Sequence, residues 1–192
     1  KEAEKSQQLP AISTLDAVVG RVQQNHWSLD PVNRTATHLS SVPLMTNTFV
    51  KSFIITSAAR KVLDMPGIKS VTINIGGDIV VLGEAMEEVS ISNPLANAEN
   101  DLPLAIISIE NKAVATSGNY RRGVMINGKW YSHIIDPRTG MPAGKVISAT
   151  VVAKNATDAG ALATAFNVLE PTEGMKLANS FQGTEYLVIT KD

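Results

Sequence analysis

The 192-residue sequence contains no cysteine, which excludes disulfides, thiolate catalysis and Cys-ligated metal centres while leaving the compartment open. Histidine is scarce, at three residues, and aromatics make up 5% of the chain, so few side chains are suited to moving a proton near neutral pH. No charge of one sign dominates: 17 Lys plus Arg stand against 18 Asp plus Glu, a formal net charge of −1. Long-range attraction to nucleic acid or anionic lipid is therefore not expected. No apolar run is long enough to span a bilayer, and Lys1 to Pro10 is charged and Gln-containing, unlike a secretory signal. Repeats and low-complexity segments are also missing. The remaining composition, 44% hydrophobic and 18% charged, is that of a globular chain long enough for one well-buried domain or two small lobes sharing a core.

Hydrophobic spacing predicts the elements. Ile12, Leu15, Val18, Val19 and Val22 recur at helical intervals over 12–24, with Ser13 or Thr14 as a cap. His26 and His38 lie in polar surroundings and read as structural. A second helix is expected over 49–63, capped within Thr46-Asn47-Thr48, with Val50, Phe53, Ile54, Ala58 and Val62 as its apolar face. Lys51 lies in its first turn, where a cation opposes the helix dipole unless an anion is near; a phosphate-side role and an ordinary solvated lysine both remain open.

Residues 70–82 read as a strand pair or one bent strand interrupted by Gly76-Gly77, a doublet that fits either a bulge or a wall against which a flat ligand packs. Residues 84–100 are acidic and polar around a short strand at 89–91. Further strands are expected at 105–109, 113–116, 146–153 and 184–190, with helices over 155–169, capped by Thr157, and 171–178. Strands of alternating apolar and polar residues, together with three or four amphipathic helices, indicate an α+β fold.

The most informative stretch is Ala115 to Gly140. Asn127-Gly128 between Val124-Met125-Ile126 and Trp130-Tyr131 marks a tight hairpin, because a two-residue turn needs positive φ at its centre. Thr116-Ser117-Gly118 and Asp136-Pro137-Arg138-Thr139-Gly140 flank it. His133 is the side chain suited to proton transfer, and backbone N–H groups near Gly118 and Gly140, with the Ser117 and Thr139 hydroxyls, suit phosphate oxygens. Taken alone, the pentapeptide reads more readily as a plain turn, since Asp, Pro and Gly are ordinary turn residues.

Ala115-Thr-Ser-Gly-Asn-Tyr120 and His133-Ile-Ile-Asp-Pro-Arg-Thr-Gly140, with Asn74-Ile-Gly-Gly-Asp78 upstream and Ala161-Leu-Ala-Thr164 downstream, resemble the ApbE family, the FAD:protein FMN transferases. The resemblance covers residues 42–192 of a single domain; residues 1–41, an N-terminal segment with a helix, match it poorly. The chain reads as an N-terminally shortened member.

The resemblance implies T-fold-like lobes with a flavin site between them. It also implies transfer of FMN from FAD to a Thr or Ser hydroxyl of an acceptor flavoprotein, with release of AMP and with Mg²⁺ at the pyrophosphate. On this basis His133 and Asp136 are the expected catalytic residues. Lys51, Gly76, Gly77, Asp78, Thr116, Ser117, Gly118, Tyr120 and Thr139 are expected to hold the cofactor. The implied metal ligands map to the Val50 carbonyl, to Thr164 and to position 160. There the family's Asp is replaced by Gly160, and the family's Lys-Gly is Lys51-Ser52 here. Asp158 stands about 240° around the helix from Thr164 and cannot substitute.

The missing carboxylate sets a second expectation beside transfer: a catalytically silent FAD-binding or partner-binding relative. An FAD pyrophosphatase is a third. An extracytoplasmic, periplasmic or membrane-anchored location follows from the resemblance alone, and a homo-oligomer or partner subunit is left open.

Overall fold

The computed structural model describes residues 2–43, 45–96 and 101–191. In chain order the elements are α1 (Glu2–Ser6), α2 (Ile12–Val22), β1 (Trp27–Asp30), β2 (Thr35–His38), α3 (Asn47–Leu63), β3 (Ser70–Ile75), β4 (Asp78–Gly83) and β5 (Glu87–Ile91). They continue with β6 (Ala105–Ile109), β7 (Ala113–Gly118), β8 (Gly123–Ile126), β9 (Lys129–Ser132), β10 (Val146–Ala153), α4 (Ala156–Val168), α5 (Pro171–Asn179) and β11 (Glu185–Thr190). The α+β class is borne out.

A five-stranded sheet in the order β11-β10-β7-β4-β3, antiparallel throughout, forms the frame. Helices α3, α4 and α5 cover one face. Ile55 and Ala59 of α3 and Ala156 and Ala159 of α4 meet Val80, Ala113, Ala115 and Ala153, while Leu162, Ala163, Phe166 and Ala178 meet Val146, Ala149 and Val151. The β5–β6 hairpin lies on the other face, where Val89 and Ile109 bury Val81, Val114 and Val152. Strand β10 is buried at every position but one because it is covered on both faces, which is why it reads as a continuous β-branched run rather than an alternation. Each fully buried valine contributes on the order of 1.5–3 kcal/mol of transfer free energy.

Alanines on α4 let its backbone lie close to the sheet, and the order of packing corrects several expectations. The inward face of α3 is Ser52, Ile55 and Ala59, whereas the expected apolar face points outward: Phe53 is 67% and Ile54 54% exposed. Amphipathic spacing alone could not tell these faces apart, because α3 carries apolar residues on both. Thr46 makes no side-chain cap bond, and the expected caps Asn47 and Thr48 lie outside the described side chains. Helix α2 is preceded by Ala11 rather than capped by Ser13 or Thr14. Helix α4 is capped by Asn155, whose Oδ1 accepts from the Asp158 N–H at 2.9 Å, and not by Thr157.

Two tight turns explain glycines. Asn127 and Gly128, with φ of 48° and 72°, form the expected turn of the β8–β9 hairpin. Gly76 and Gly77, with φ of 59° and 89°, form a second between β3 and β4, where Ile75 faces Asp78. The doublet is thus a hairpin turn rather than a bulge, held by the Gly77 N–H donating to Asn74 Oδ1 at 3.2 Å. The β1–β2 hairpin was not expected. His38 stacks on Trp27 across it at 4.3 Å between ring centroids, and His26 bridges Ser40 and the Arg21 carbonyl. Residues 97–100 of the acidic stretch lie outside the described residues.

Candidate functional site

Antiparallel pairing of β4 with β7 sets Ile79 opposite Val114, so the turn at Gly76-Gly77 comes beside the exit of β7 at Thr116. Register with β10 places Thr116 opposite Thr150 and Gly118 opposite Ser148, and the Thr116 and Thr150 hydroxyls share a 2.8 Å hydrogen bond. Around this sheet end opens a cavity of about 440 Å³ lined by Lys51, Gly76, Gly77, Asp78, Thr116, Ser117, Gly118, Tyr120 and His133, together with Arg121, Arg122 and residues of β5. Eight of the nine expected cofactor residues meet there, joined by one of the two expected catalytic residues.

Charge in the cavity is organised by α3. Lys51 Nζ lies 2.8 Å from Asp78 Oδ2, and Ser52 Oγ donates to the same oxygen at 3.5 Å. Asp78 is nearly buried, so its two partners hold a carboxylate that would otherwise be costly to bury. The lining then carries three cationic side chains, Lys51, Arg121 and Arg122, against one carboxylate, Asp78. The two arginines escaped the sequence reading because they lie on the loop after Tyr120, outside any periodic pattern. Arg121 sits over the Tyr120 ring at 5.6 Å, within cation–π range.

His133 is fixed by its neighbour across the β8–β9 hairpin. Its backbone N–H donates to the Arg122 carbonyl at 3.1 Å, and its Nδ1 lies 2.9 Å from the same oxygen. A carbonyl only accepts, so Nδ1 carries the proton and Nε2 is left as a proton acceptor.

Asn167, another residue missed in the sequence, supports the motif from behind. Its amide donates to the carbonyls of Ser117 (3.0 Å) and Ala163 (2.9 Å), tying β7 to α4. A buried asparagine inside a helical apolar stretch was the only signal available.

The second motif does not join the cavity. Asp136 and Thr139 line a separate recess of about 170 Å³. The Asp136 carbonyl accepts from the Thr139 and Gly140 N–H groups, and its Oδ1 accepts from the Arg138 N–H at 2.8 Å. Arg138 Nε donates to Oδ1 at 3.0 Å and Nη2 to Oδ2 at 2.9 Å, while Nη2 also reaches the Val168 carbonyl at 3.2 Å. The Arg138 guanidinium holds the Asp136 carboxyl below the usual carboxylate range. Asp136 is committed to its own turn and to α4, so the structure does not bring it to His133. Thr139 Oγ1 accepts from the Met141 N–H at 3.2 Å.

The residues do not fit the divalent cation implied by the resemblance. Position 160 offers no side chain, and a Cβ there would stand 3.2 Å from Ser52 Oγ. Thr164 Oγ1 donates to the Gly160 carbonyl at 3.0 Å, and Val50 lies within α3, where carbonyls serve N–H groups four residues on. Asp158 is used in the Asn155 cap, accepting from Asn155 Nδ2 at 2.6 Å. Among the described residues no group of three or more His, Asp or Glu side chains could hold a metal.

The ApbE family model matches residues 1–188, which brings in the first forty-one residues that the motifs left out. The FAD:protein FMN transferase of Haemophilus influenzae (strain ATCC 51907 / DSM 11121 / KW20 / Rd) is 30% identical over 173 residues, covering 86% of this chain and 49% of that protein. That of Klebsiella pneumoniae (strain 342) is 33% identical over 137 residues, covering 69% and 38%. The chain thus spans less than half the length of these curated relatives. The crystal structure of the ApbE protein of Thermotoga maritima, at 24% identity, superposes with a TM-score of 0.78 over 95% of this chain and 60% of that one, which establishes the likeness of fold. Motifs, fold and family match agree, and the chain belongs to the ApbE family.

Proposed function

We propose that this chain binds FAD in the cavity between Lys51 and His133 and passes its FMN part to a Thr or Ser hydroxyl of an acceptor flavoprotein, releasing AMP. The observation that carries the reading is the convergence, at one sheet end, of three cationic side chains, the Gly76-Gly77 turn, the Thr116–Gly118 segment and a histidine with its Nε2 open as an acceptor. Lys51, Arg121 and Arg122 attract the pyrophosphate, and Tyr120 offers a flat apolar surface to the flavin. In the transfer step the acceptor oxygen bonds to the FMN phosphorus and the bond from that phosphorus to the bridging oxygen breaks. AMP departs with the bridging oxygen, and the hydroxyl proton passes to His133 Nε2. Lysine and arginine beside the phosphates offset the charge that builds on the leaving oxygen.

Mg²⁺ is the ion the resemblance implies, and no step is routed through it because the residues at its position supply no carboxylate. Gly160 supports a second reading, a relative that binds FAD without turning it over. The extracytoplasmic location belongs to the same proposal and rests on the family resemblance. Among the described residues no helix is long and apolar enough to cross a membrane.

The test is incubation with FAD and a domain bearing a Thr acceptor, with AMP and flavinylated acceptor quantified for the native sequence and for His133→Asn. Equal amounts of AMP and flavinylated acceptor, lost in the His133 variant with FAD binding retained, support transfer. Bound FAD with no AMP assigns the silent relative, and AMP with free FMN assigns a pyrophosphatase.

A further inference from the structure

We propose that Trp130 is a positioning residue for flavin binding. Its indole N–H holds one end of the loop 119–122 while His133 holds the other, so that a single hairpin sets both the Tyr120 contact surface and the proton acceptor. The inference rests on the FAD reading above and deepens it, assigning a part to a residue that lies outside the cavity.

The near end of the loop is Asn119, which is 5% exposed. The paired part of β7 ends at Gly118, opposite Ser148, and Asn119 extends the hold on β10 by two bonds. Its backbone N–H donates to the Ile147 carbonyl at 3.0 Å, and its Nδ2 donates to the Val146 carbonyl at 2.6 Å. Its own carbonyl accepts from Trp130 Nε1 at 3.0 Å.

Trp130 reaches that carbonyl along the hairpin. It stands opposite Met125 in the β8–β9 register, and Gly123 lies two positions before Met125, on the same face and within reach of a large ring. A Cβ at 123 would meet the indole Cζ2 at 2.7 Å and Cε2 at 2.9 Å, so the bare residue leaves the ring its path to Asn119. Trp130 is 42% exposed, and an exposed donor is satisfied by water at little cost. Burial therefore does not require this bond; what the bond contributes is the position of the loop.

At the far end, the His133 backbone N–H and Nδ1 both meet the Arg122 carbonyl, at 3.1 and 2.9 Å. Trp130 and His133 thus hold the carbonyls at 119 and 122, and Tyr120, Arg121 and Arg122 line the cavity. Trp130 does not line it: with Asn119 it borders a separate recess of about 200 Å³. Its effect on a flavin passes through Tyr120. The same loop keeps the His133 proton on Nδ1, so a displaced loop also frees the tautomer that leaves Nε2 as acceptor.

The test compares the native sequence with Trp130→Phe, which keeps an aromatic ring and removes the N–H, and with Trp27→Phe as a control on the β1–β2 hairpin. FAD and riboflavin affinities are read by quenching of flavin fluorescence and the melting temperature by calorimetry. The His133 tautomer is read by ¹⁵N NMR of the imidazoles, with its signals assigned by their loss in His133→Asn. Trp130→Phe should weaken both ligands by about tenfold, melt within a few degrees of the native protein and carry part of its His133 in the Nε2–H form. Trp27→Phe should leave both affinities within about twofold. Affinities of Trp130→Phe within about twofold of native overturn the proposal, as does a loss confined to FAD, which would put the loop at the phosphates alone. So does an unmoved His133 tautomer, an equal weakening by Trp27→Phe, or failure of Trp130→Phe to fold, which would mean that Trp130 holds the fold rather than the loop. If the native chain binds neither ligand, the flavin reading falls with the affinity arm, and the tautomer still decides whether Trp130 and His133 hold one loop.

Discussion

Ser52 Oγ stands 3.2 Å from the point where a Cβ on Gly160 would lie, so any side chain at that position of α4 would press on a residue of α3 more than a hundred positions earlier. The same serine leans on Asp78, and Asp78 holds Lys51. Position 160 is thus linked through Ser52 and Asp78 to Lys51 in the cavity lining.

Lys51 should separate phosphate recognition from flavin recognition. Lys51→Met removes the ammonium that faces the cavity, and a hydrogen-bonded charge is worth about 1.5–3 kcal/mol. FAD affinity should fall by about tenfold or more while riboflavin binding stays within about twofold, as measured by fluorescence titration of both ligands. Equal loss for the two would show that Lys51 acts only by holding Asp78 and the fold around it.

Gly118 should matter for the shape of the cavity more than for the backbone. Its φ is not positive, yet a Cβ there would meet Tyr120 Cε1 at 2.6 Å and the Ile147 carbonyl at 3.1 Å. The Tyr120 ring is only partly buried and is the group that would have to move. Gly118→Ala should cost stability only about 1 kcal/mol and weaken FAD by roughly tenfold. Calorimetry with an unchanged affinity would remove Tyr120 from the flavin contact.

Gly174 tests the packing behind the site. Alanine is about 1 kcal/mol better than glycine inside a helix, so Gly174→Ala on α5 should stabilise the protein if nothing opposed it. A Cβ there would fall 2.5 Å from the Phe166 ring, which is fully buried, and overpacking of that kind costs about 1–3 kcal/mol. Net destabilisation in urea unfolding is the expected result; a gain would mean that Phe166 shifts freely.

The Asp136–Arg138 pair predicts an acid transition. The Asp136 carboxyl is held below its ordinary value, chiefly by the hydrogen bonds from the Arg138 side chain. A depressed carboxylate contributes stability that is complete above its unfolded value, about 3.9, and is lost as pH falls through the lower folded value. Stability should therefore decline below about pH 4 and Asp136→Asn should flatten that part of the curve. Because Asp136 lies outside the cavity, FAD affinity of the variant near neutral pH should stay within about twofold.

Much of the fold could be read in the residues because it is governed locally. Strand β10 matched its expected limits, since a long β-branched run between turn signals has few alternatives. The β8–β9 hairpin followed from Asn127-Gly128, where positive φ is required. Helix caps were less legible: Asn155 rather than Thr157 caps α4, because the choice depends on which side chain reaches a free N–H, and several candidates stand within three positions. Hairpin β1–β2 was missed because its strands are four residues each and largely exposed, so they carry no apolar alternation.

By itself the sequence determined the local chemistry: which turns are possible, which runs become strands, that His133 is suited to proton transfer, and that position 160 has no carboxylate. Only the tertiary structure decided which of these meet. The inner face of α3 became Ser52, Ile55 and Ala59 rather than Phe53 and Ile54 because helix α4 and the sheet approach from that side, something helical periodicity cannot encode. Arg121 and Arg122 joined the cavity while Asp136 and Thr139 turned away from it, because strand register brings β7 beside the Gly76-Gly77 turn, whereas Arg138 ties its own loop to the end of α4. Spacing along a chain fixes what a segment is; the long-range pairing of strands and helices fixes what it faces.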